Sequence, residues 1–174
     1  MTHPERLDEA ASFRYDICSL YKRVQRGVVT RKEKWGGAAN SEAIISLLNE
    51  ALAIEIACVV RFNPQYLFAY AERIAARIVE LGGSPNYFPD VLLVHGEYLT
   101  RSFLKEMVHE DLSTERIVVA AYREILQYMK DSDPTTRDTL KSVLAKHGEH
   151  IAALIALLQI INTREPSPHL LELT

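Results

Sequence analysis

The sequence has 174 residues, of which 48% are hydrophobic and 25% are charged, with a net charge of −3 and two cysteines. This length and composition are typical of one globular domain with its own core, and the lack of a basic excess argues against binding to nucleic acid or to an anionic membrane. The N-terminus lacks the apolar core of a signal peptide, and no apolar run is long enough to span a bilayer. We therefore expect a cytoplasmic protein in which Cys18 and Cys58 are reduced.

Apolar periodicity predicts five helices and almost no strand, with the helices at about residues 7–26, 41–62, 64–81, 99–130 and 134–161. Gly27 is expected to end the first helix, and Asn40-Ser41 supplies N-capping side chains for the second. Asn63-Pro64 predicts a tight turn or a sharp kink, because proline restricts the residue before it and is favoured in a first helical turn. Gly82-Gly83 ends the third helix. Asp133-Pro134 begins the fifth helix, and Asp133 itself is expected to be solvated.

The connection between the third and fourth helices is the long one, which is the ferritin-like arrangement among four-helix bundles. The predicted fold class is therefore an all-α bundle with an extra N-terminal helix. We assign residues 1–40 to that helix and its connection, residues 41–162 to the bundle, and residues 163–174 to a tail.

Ionisable side chains interrupt the apolar rows that three of these helices are expected to turn toward the core. Glu55 on the second helix, Glu115 on the fourth, and His147 and His150 on the fifth lie near the middle of those rows. An unpaired buried carboxylate is strongly unfavourable, so these groups are expected to meet one another or a cation. Carboxylates and imidazoles that project from facing helices into a bundle core are typical of a metal site.

An interpretation without metal stays open, because single buried Glu and His side chains are often hydrogen-bonded structural groups. Cys58 lies one turn after Glu55 and is interpreted as a small core hydrophobe instead of a ligand. Tyr122 is interpreted as a core side chain, with a hydrogen bond to Glu115 as the alternative.

Four segments carry a wider pattern: residues 46–56 read SLLNEALAIEI, residues 73–83 read RIAARIVELGG, residues 110–117 read EDLSTERI, and residues 133–137 read DPTTR. Together they resemble the bacterioferritin-like branch of the ferritin-like proteins, over about residues 16–158. The resemblance implies a four-helix bundle that binds iron, with a di-iron ferroxidase centre in competent members. Such a centre takes one Glu from each of two helices and a Glu-x-x-His motif from each of the other two.

The resemblance implies that Glu55 and Glu115 are the single glutamate ligands and that His150 is the histidine of one Glu-x-x-His motif. His147 stands where the glutamate of that motif belongs. In the other motif Tyr70 replaces the histidine and Leu67 the glutamate, and the hairpin before it is shorter than the family's by about twenty residues. We expect this shortening to leave the second and third helices in incomplete contact and to expose apolar surface that another subunit covers.

The remaining ligand set of Glu55, Glu115, His147 and His150 suits one Fe(II) or Zn(II) ion better than a pair of irons. The sequence therefore predicts an iron-binding protein of iron storage or detoxification, with a mononuclear or incomplete di-iron site and weakened or absent ferroxidase activity. Zinc is the alternative metal, no haem is predicted and no catalytic residue is assigned. A homo-oligomer, dimer or larger, is expected. The alternative functions are a non-catalytic bundle that binds itself or a partner, and a mononuclear structural metal site.

Overall fold

The computed structural model describes residues 17–31, 40–62, 65–87 and 104–164, and none of these residues lies in a strand. They form the helices α1 (residues 17–31), α2 (Ser41–Phe62), α3 (Gln65–Glu80), α4 (Leu104–Met129) and α5 (Pro134–Arg164). The predicted all-α class is confirmed. α2 ends at Phe62 and α3 begins at Gln65, and the turn or kink predicted at Asn63-Pro64 lies outside the described residues.

The predicted end of the first helix is wrong, because α1 continues through Gly27 to residue 31. A single glycine inside a helix costs only about 1 kcal/mol, which the packing of Val24 and Val28 into the core offsets. The fifth helix also runs further than expected and ends at Arg164. The predicted starts of the first and fourth helices, and residues 32–39 of the first connection, lie outside the described residues.

Side-chain and glycine caps explain where α2 begins and where α3 ends. The Asn40 side chain accepts a hydrogen bond from the backbone N–H of Ala43 at 2.8 Å, as an N-cap does. Just after α3, Gly82 has a φ of 81° and donates to the carbonyl of Val79. Gly83 donates to the carbonyl of Ile78, which completes a Schellman motif.

Asp133 caps α5 and also ties it to α3. Its carboxylate accepts hydrogen bonds from the backbone N–H and the hydroxyl of Thr136, at 3.0 and 2.6 Å. The Arg77 guanidinium, near the end of α3, donates to both Asp133 oxygens at 3.1 Å. The expectation that Asp133 is solvated is therefore wrong: it is 9% exposed because an arginine from another helix reaches it.

The bundle consists of two antiparallel hairpins, α2 with α3 and α4 with α5, and most helix–helix contacts lie within them. Gly83, just after α3, packs against Ile45 near the start of α2, and Asn49 hydrogen-bonds the backbone of Ser84 and Asn86. These contacts join the end of α3 to the start of α2. The incomplete contact that we expected lies at Asn63-Pro64, outside the described residues, and stays a prediction. In the second hairpin, Arg137 donates to the carbonyl of Leu126.

The main core lies between these hairpins and α1, and its largest fully buried side chains include Tyr122 and Tyr128. Among the described residues, a second, smaller apolar cluster lies between α4 and α5. It consists of Val108, Leu112, Leu154 and Leu158, with Ile151 and Ile161 packed against it. The two clusters share no residue, so the far part of the α4–α5 hairpin has its own core.

The α4–α5 hairpin continues beyond the first residue of α3. The rings of Tyr70 and His147 lie 6.3 Å apart, and α3 begins only five residues before Tyr70, at Gln65. Since α3 is antiparallel to α5, no part of α3 lies beside α5 beyond about residue 152. We call residues 104–112 of α4 together with residues 152–163 of α5 the arm.

One described helix, Pro134–Thr163, is long and apolar enough to pass for a membrane span, with a mean hydropathy of 1.3 and 17% of its apolar window buried. Its uncharged run extends from His150 to Thr163. That run covers only about 21 Å of helix, whereas the hydrocarbon core of a bilayer is about 30 Å thick. The apolar run of α5 is therefore better explained by its position in the arm than by a helix that spans a membrane.

Candidate metal centre

Glu55 of α2, Glu115 of α4 and His147 of α5 meet in the middle of the main core. His147 Nδ1 lies 2.7 Å from Glu115 Oε2, and His147 Nε2 lies 3.0 Å from Glu55 Oε1. All three residues are at most 1% exposed. Each ring nitrogen of His147 faces one carboxylate, so His147 bridges the two, and as an imidazolium it donates a hydrogen bond to each.

Two further side chains complete this cluster. His150, one turn after His147, donates from Nδ1 to Glu115 Oε1 at 2.8 Å and is partly exposed. The Tyr122 hydroxyl donates to Glu55 Oε1 at 2.6 Å, so Tyr122 binds Glu55 and not Glu115. The structure thus brings together all four residues singled out in the sequence and adds Tyr122 as a polar member. Its position seven residues after Glu115 indicates the shared helix face, but not which carboxylate it reaches.

The pKa shifts follow from burial and from these hydrogen bonds. Burial lowers the pKa of His147, but the hydrogen bonds to Glu115 and Glu55 outweigh burial and raise the pKa to about 10. Burial raises the pKa of Glu115, but its hydrogen bonds with His147 and His150 prevail and lower it. Burial, followed by the charge of Glu55, raises the pKa of the Tyr122 hydroxyl well above its usual value. At neutral pH Tyr122 is therefore a neutral donor.

One carboxylate oxygen of the cluster has no partner. Glu55 Oε2 is buried and, in the part of the chain that the structure describes, makes no hydrogen bond. Cys58, one turn further along α2, is fully buried. Burial and then the negative charge of Glu55 raise the pKa of its thiol well above 9.0. This agrees with the interpretation of Cys58 as a core hydrophobe, since a thiolate is the form that binds metals.

The residue types of the cluster fit a metal ion better than their present arrangement does. Two carboxylates and two imidazoles are ligands that Fe(II) and Zn(II) accept, and their contacting atoms are separated by no more than 3.0 Å. As the side chains stand, however, no group of three or more His, Cys, Asp or Glu among the described residues could hold a metal ion. Hydrogen bonds between the side chains occupy the oxygen and nitrogen atoms that would bind an ion. An ion must therefore replace at least one of these hydrogen bonds.

The comparisons with known proteins agree with this bundle and its polar core. The ferritin-like domain family matches residues 65–163, slightly more than half of the chain, and this range includes Glu115, His147 and His150 but not Glu55. The chain therefore belongs to the ferritin-like family. No curated protein sequence matches it.

Among solved structures, the chain is similar to the bacterioferritin of Desulfovibrio desulfuricans, in crystals of protein that was reduced in solution and allowed to reoxidise. The two chains have 20% sequence identity and a TM-score of 0.59, with 73% of this chain and 86% of that chain covered. That bacterioferritin has a diiron site. At this level of identity the likeness confirms the bacterioferritin-like fold alone, which is also the fold that the four sequence segments predict.

Proposed function

We propose that this chain is a cytoplasmic iron-binding protein of iron storage or detoxification, with a metal site formed by Glu55, Glu115, His147 and His150. The observation that carries the proposal is the pair of buried carboxylates that meet at one imidazole in the middle of a ferritin-like bundle. Buried carboxylates are stable only when they are paired. At this place the partner is either the His147 imidazolium or a metal ion.

Charge balance favours a divalent cation. Glu55 and Glu115 together carry two negative charges when ionised, and a histidine that binds a metal is neutral. One Fe²⁺ or Zn²⁺ ion therefore balances the two carboxylates, whereas the His147 imidazolium balances only one of them. Glu55 Oε2, which has no hydrogen-bond partner among the described residues, offers a carboxylate oxygen for an ion.

The cluster also orients its own imidazoles. His147 can bind an ion through one ring nitrogen while the other N–H donates to a carboxylate, and such a hydrogen bond fixes the orientation of metal-binding histidines. Glu115 joins His147 to His150 through its two oxygens. Tyr122 holds Glu55 in place through its hydroxyl. Iron bound here would supply any electron transfer to dioxygen, and Glu55, Glu115, His147 and His150 would hold it.

We propose one ion per chain and weak or absent ferroxidase activity. Tyr70 stands beside His147 where the resemblance places a second ligand histidine, and a tyrosine with a raised pKa is a poor replacement for an imidazole. Burial is the main cause of that raised pKa. The ligand set is thus too small for a complete di-iron centre, and zinc is the alternative occupant.

The hydrogen bonds within the cluster favour a second function, one without metal. His147 already pairs with both carboxylates, so the polar core is stable without any ion. In that case the chain is a non-catalytic ferritin-like bundle that acts through its surface. Metal content distinguishes the two functions.

The test is a metal titration of chelator-treated protein with Fe(II) under anaerobic conditions, followed by gel filtration and elemental analysis. About one iron per chain is expected for the wild type, and none for Glu115→Gln, which keeps the shape but removes the charge. Glu72→Gln, on the exposed face of α3, is the matched control and binds as the wild type does. His147→Glu rebuilds a Glu-x-x-His motif with His150 and is expected to bind iron more tightly.

Wild-type protein that binds no metal after loading overturns the iron-binding proposal in favour of the structural cluster. Two irons per chain, both lost in Glu115→Gln, contradict the single-ion site and indicate further ligands. Oxygen uptake during Fe(II) addition measures the remaining ferroxidase activity.

A further inference from the structure

The two glutamates of the polar cluster use their carboxylate oxygens differently. Glu115 spreads its hydrogen bonds over both oxygens, with His147 on Oε2 at 2.7 Å and His150 on Oε1 at 2.8 Å. The hydrogen bonds that Glu55 makes within the described residues are both on Oε1, from the Tyr122 hydroxyl at 2.6 Å and from His147 Nε2 at 3.0 Å. Glu55 Oε2 is buried and has no hydrogen-bond partner in that part of the chain. One oxygen of Glu55 is therefore occupied and the other is open.

Tyr122 differs from the other members of the cluster because it is not one of the four proposed metal ligands. The hydrogen bonds between the glutamates and the histidines join one ligand to another, so an ion can replace them. The Tyr122 hydroxyl reaches Glu55 from outside the ligand set, and its hydrogen bond can remain when an ion binds. The Tyr122 side chain is fully buried, with its ring 5.7 Å from the His147 ring, so close packing fixes the position of the hydroxyl.

We propose that Tyr122 is a positioning residue that keeps Glu55 Oε1 in hydrogen bonds and so leaves Oε2 as the single Glu55 oxygen for a metal ion. This inference rests on the proposed metal-binding function and adds to it a preference among ions. A carboxylate oxygen has two lone pairs, and the Tyr122 hydroxyl and a His147 N–H together use both of them on Oε1. Glu55 then binds an ion through two oxygens only if one of these hydrogen bonds breaks.

The number of oxygens that Glu55 offers affects which ions the site accepts. With one oxygen from each glutamate, the four proposed ligands supply two carboxylate oxygens and two imidazole nitrogens, which suits a four-coordinate ion such as Zn(II). Mn(II) prefers about six ligands, most of them oxygens. We therefore expect the Tyr122 hydroxyl to increase the ordinary preference of such a site for Zn(II) over Mn(II).

The test is a competition titration of chelator-treated protein with Zn(II) and Mn(II), for the wild type and for Tyr122→Phe, which removes only the hydroxyl. Tyr122→Phe is expected to bind Zn(II) about 10–100-fold more weakly, as proteins commonly do when a metal ligand loses its hydrogen-bond partner. Binding of Mn(II) is expected to weaken less or to strengthen, because the freed Oε1 becomes a further oxygen ligand. The ratio of the two affinities should therefore fall.

Tyr128→Phe is the matched control. Tyr128 lies on the same helix as Tyr122 and is 1% exposed, and its hydroxyl has no hydrogen-bond partner among the described residues. This variant removes the same atom from the same buried core but leaves the hydrogen bonds of Glu55 in place. Both of its metal affinities should equal those of the wild type.

The visible spectrum of bound Co(II) tests the same point, because four-coordinate Co(II) absorbs far more strongly than six-coordinate Co(II). The wild type and Tyr128→Phe should give the strong four-coordinate spectrum, and Tyr122→Phe a weaker one. A tyrosine with a purely structural role would change the stability of the metal-free protein but not this spectrum. Circular dichroism checks that each variant is folded, and the wild-type spectrum is informative without any variant.

A wild type and Tyr122→Phe with the same Zn(II)-to-Mn(II) preference and the same Co(II) spectrum overturn the inference and leave the metal-binding proposal standing. So does a six-coordinate Co(II) spectrum of the wild type, or an equal effect of Tyr128→Phe. Wild-type protein that binds none of Fe(II), Zn(II) and Co(II) overturns the proposed function and this inference with it.

Discussion

At the scale of single residues, His147 determines the character of the polar core. The resemblance places a glutamate at this position, which would add a third buried carboxylate to Glu55 and Glu115. The imidazole instead donates to both carboxylates and closes the cluster by hydrogen bonds. One side chain thus pairs with both buried carboxylates before any ion binds.

We expect Glu115→Ala to reduce the free energy of unfolding of chelator-treated protein by about 3–5 kcal/mol. The substitution leaves His147 Nδ1 buried without its acceptor and removes one partner of His150. Urea denaturation measures the change, and Glu72→Ala, exposed on α3, should lie within about 0.5 kcal/mol of the wild type. Wild-type stability of Glu115→Ala would contradict a paired buried charge.

The sequence identified which residues form this cluster, but not which of them hydrogen-bond each other. Glu55, Glu115 and His147 were found because each interrupts an apolar row, a signal carried by one helix alone. The bond from Tyr122 to Glu55 depends on how α4 lies against α2, which no single row contains. The unpaired Glu55 Oε2 is likewise a property of the packed bundle.

At the scale of elements, contacts at the helix ends help to fix where a helix begins and which helix lies beside it. Asp133 is both the N-cap of α5 and the partner of Arg77 on α3, so one carboxylate fixes where α5 begins and which helix lies beside it. Asp133-Pro134 was predicted to begin a helix from local rules. Its burial was not predicted, because Arg77 is 56 residues away in the sequence.

We expect the stability of the protein to fall at acid pH partly through Asp133. Burial raises the pKa of Asp133, but the hydrogen bonds from Thr136 and Arg77 prevail and hold it below 3.8. A lowered folded-state pKa stabilises the fold above pH 3.8, and this stabilisation is lost as the pH falls through the folded-state pKa. Asp133→Asn, which can still cap, should lower stability at pH 7 by about 1–3 kcal/mol and flatten the acid dependence.

The measurement is urea denaturation of both proteins at several values between about pH 7 and pH 2.5. Asp138→Asn is the control, because Asp138 on the same helix is 80% exposed and only loosely paired with Lys141. An unchanged pH profile in Asp133→Asn would show that the Arg77 contact has no net effect.

Two glycines are expected to respond in opposite ways to alanine. Gly148 lies in the exposed interior of α5 with open space around an added Cβ, so Gly148→Ala should stabilise the protein by about 1 kcal/mol. At Gly83 an added Cβ would lie 2.6 Å from Ile45 Cγ2, so Gly83→Ala should destabilise it by about 1–3 kcal/mol. Thermal unfolding compares both with the wild type, and a lower Tm for Gly148→Ala would contradict the first expectation.

At the scale of the whole molecule, the two apolar clusters predict two levels of stability. The arm is held by Val108, Leu112, Leu154 and Leu158, whereas the main core draws on all five helices. Amides of residues 152–163 should therefore exchange through local opening at lower denaturant concentration than amides of α2. Native-state hydrogen exchange measures this, and equal protection of both regions would contradict it.

The fold class and the order of the helices could be read from periodicity, because glycine, proline and capping residues mark most boundaries. The helix end predicted at Gly27 was wrong, because the packing of Val24 and Val28 into the core keeps α1 helical beyond it.

Among the described residues, both hydrogen bonds of Glu55 cross from one hairpin to the other, to Tyr122 on α4 and to His147 on α5. The polar centre is therefore also the joint between the two halves of the chain. If the halves were made as separate peptides, residues 1–87 and 88–174, their affinity for each other would include the energy of this cluster. Any occupant of the cluster would then strengthen or weaken that affinity, so the chemistry of the centre could be measured as the binding of one half of the molecule to the other.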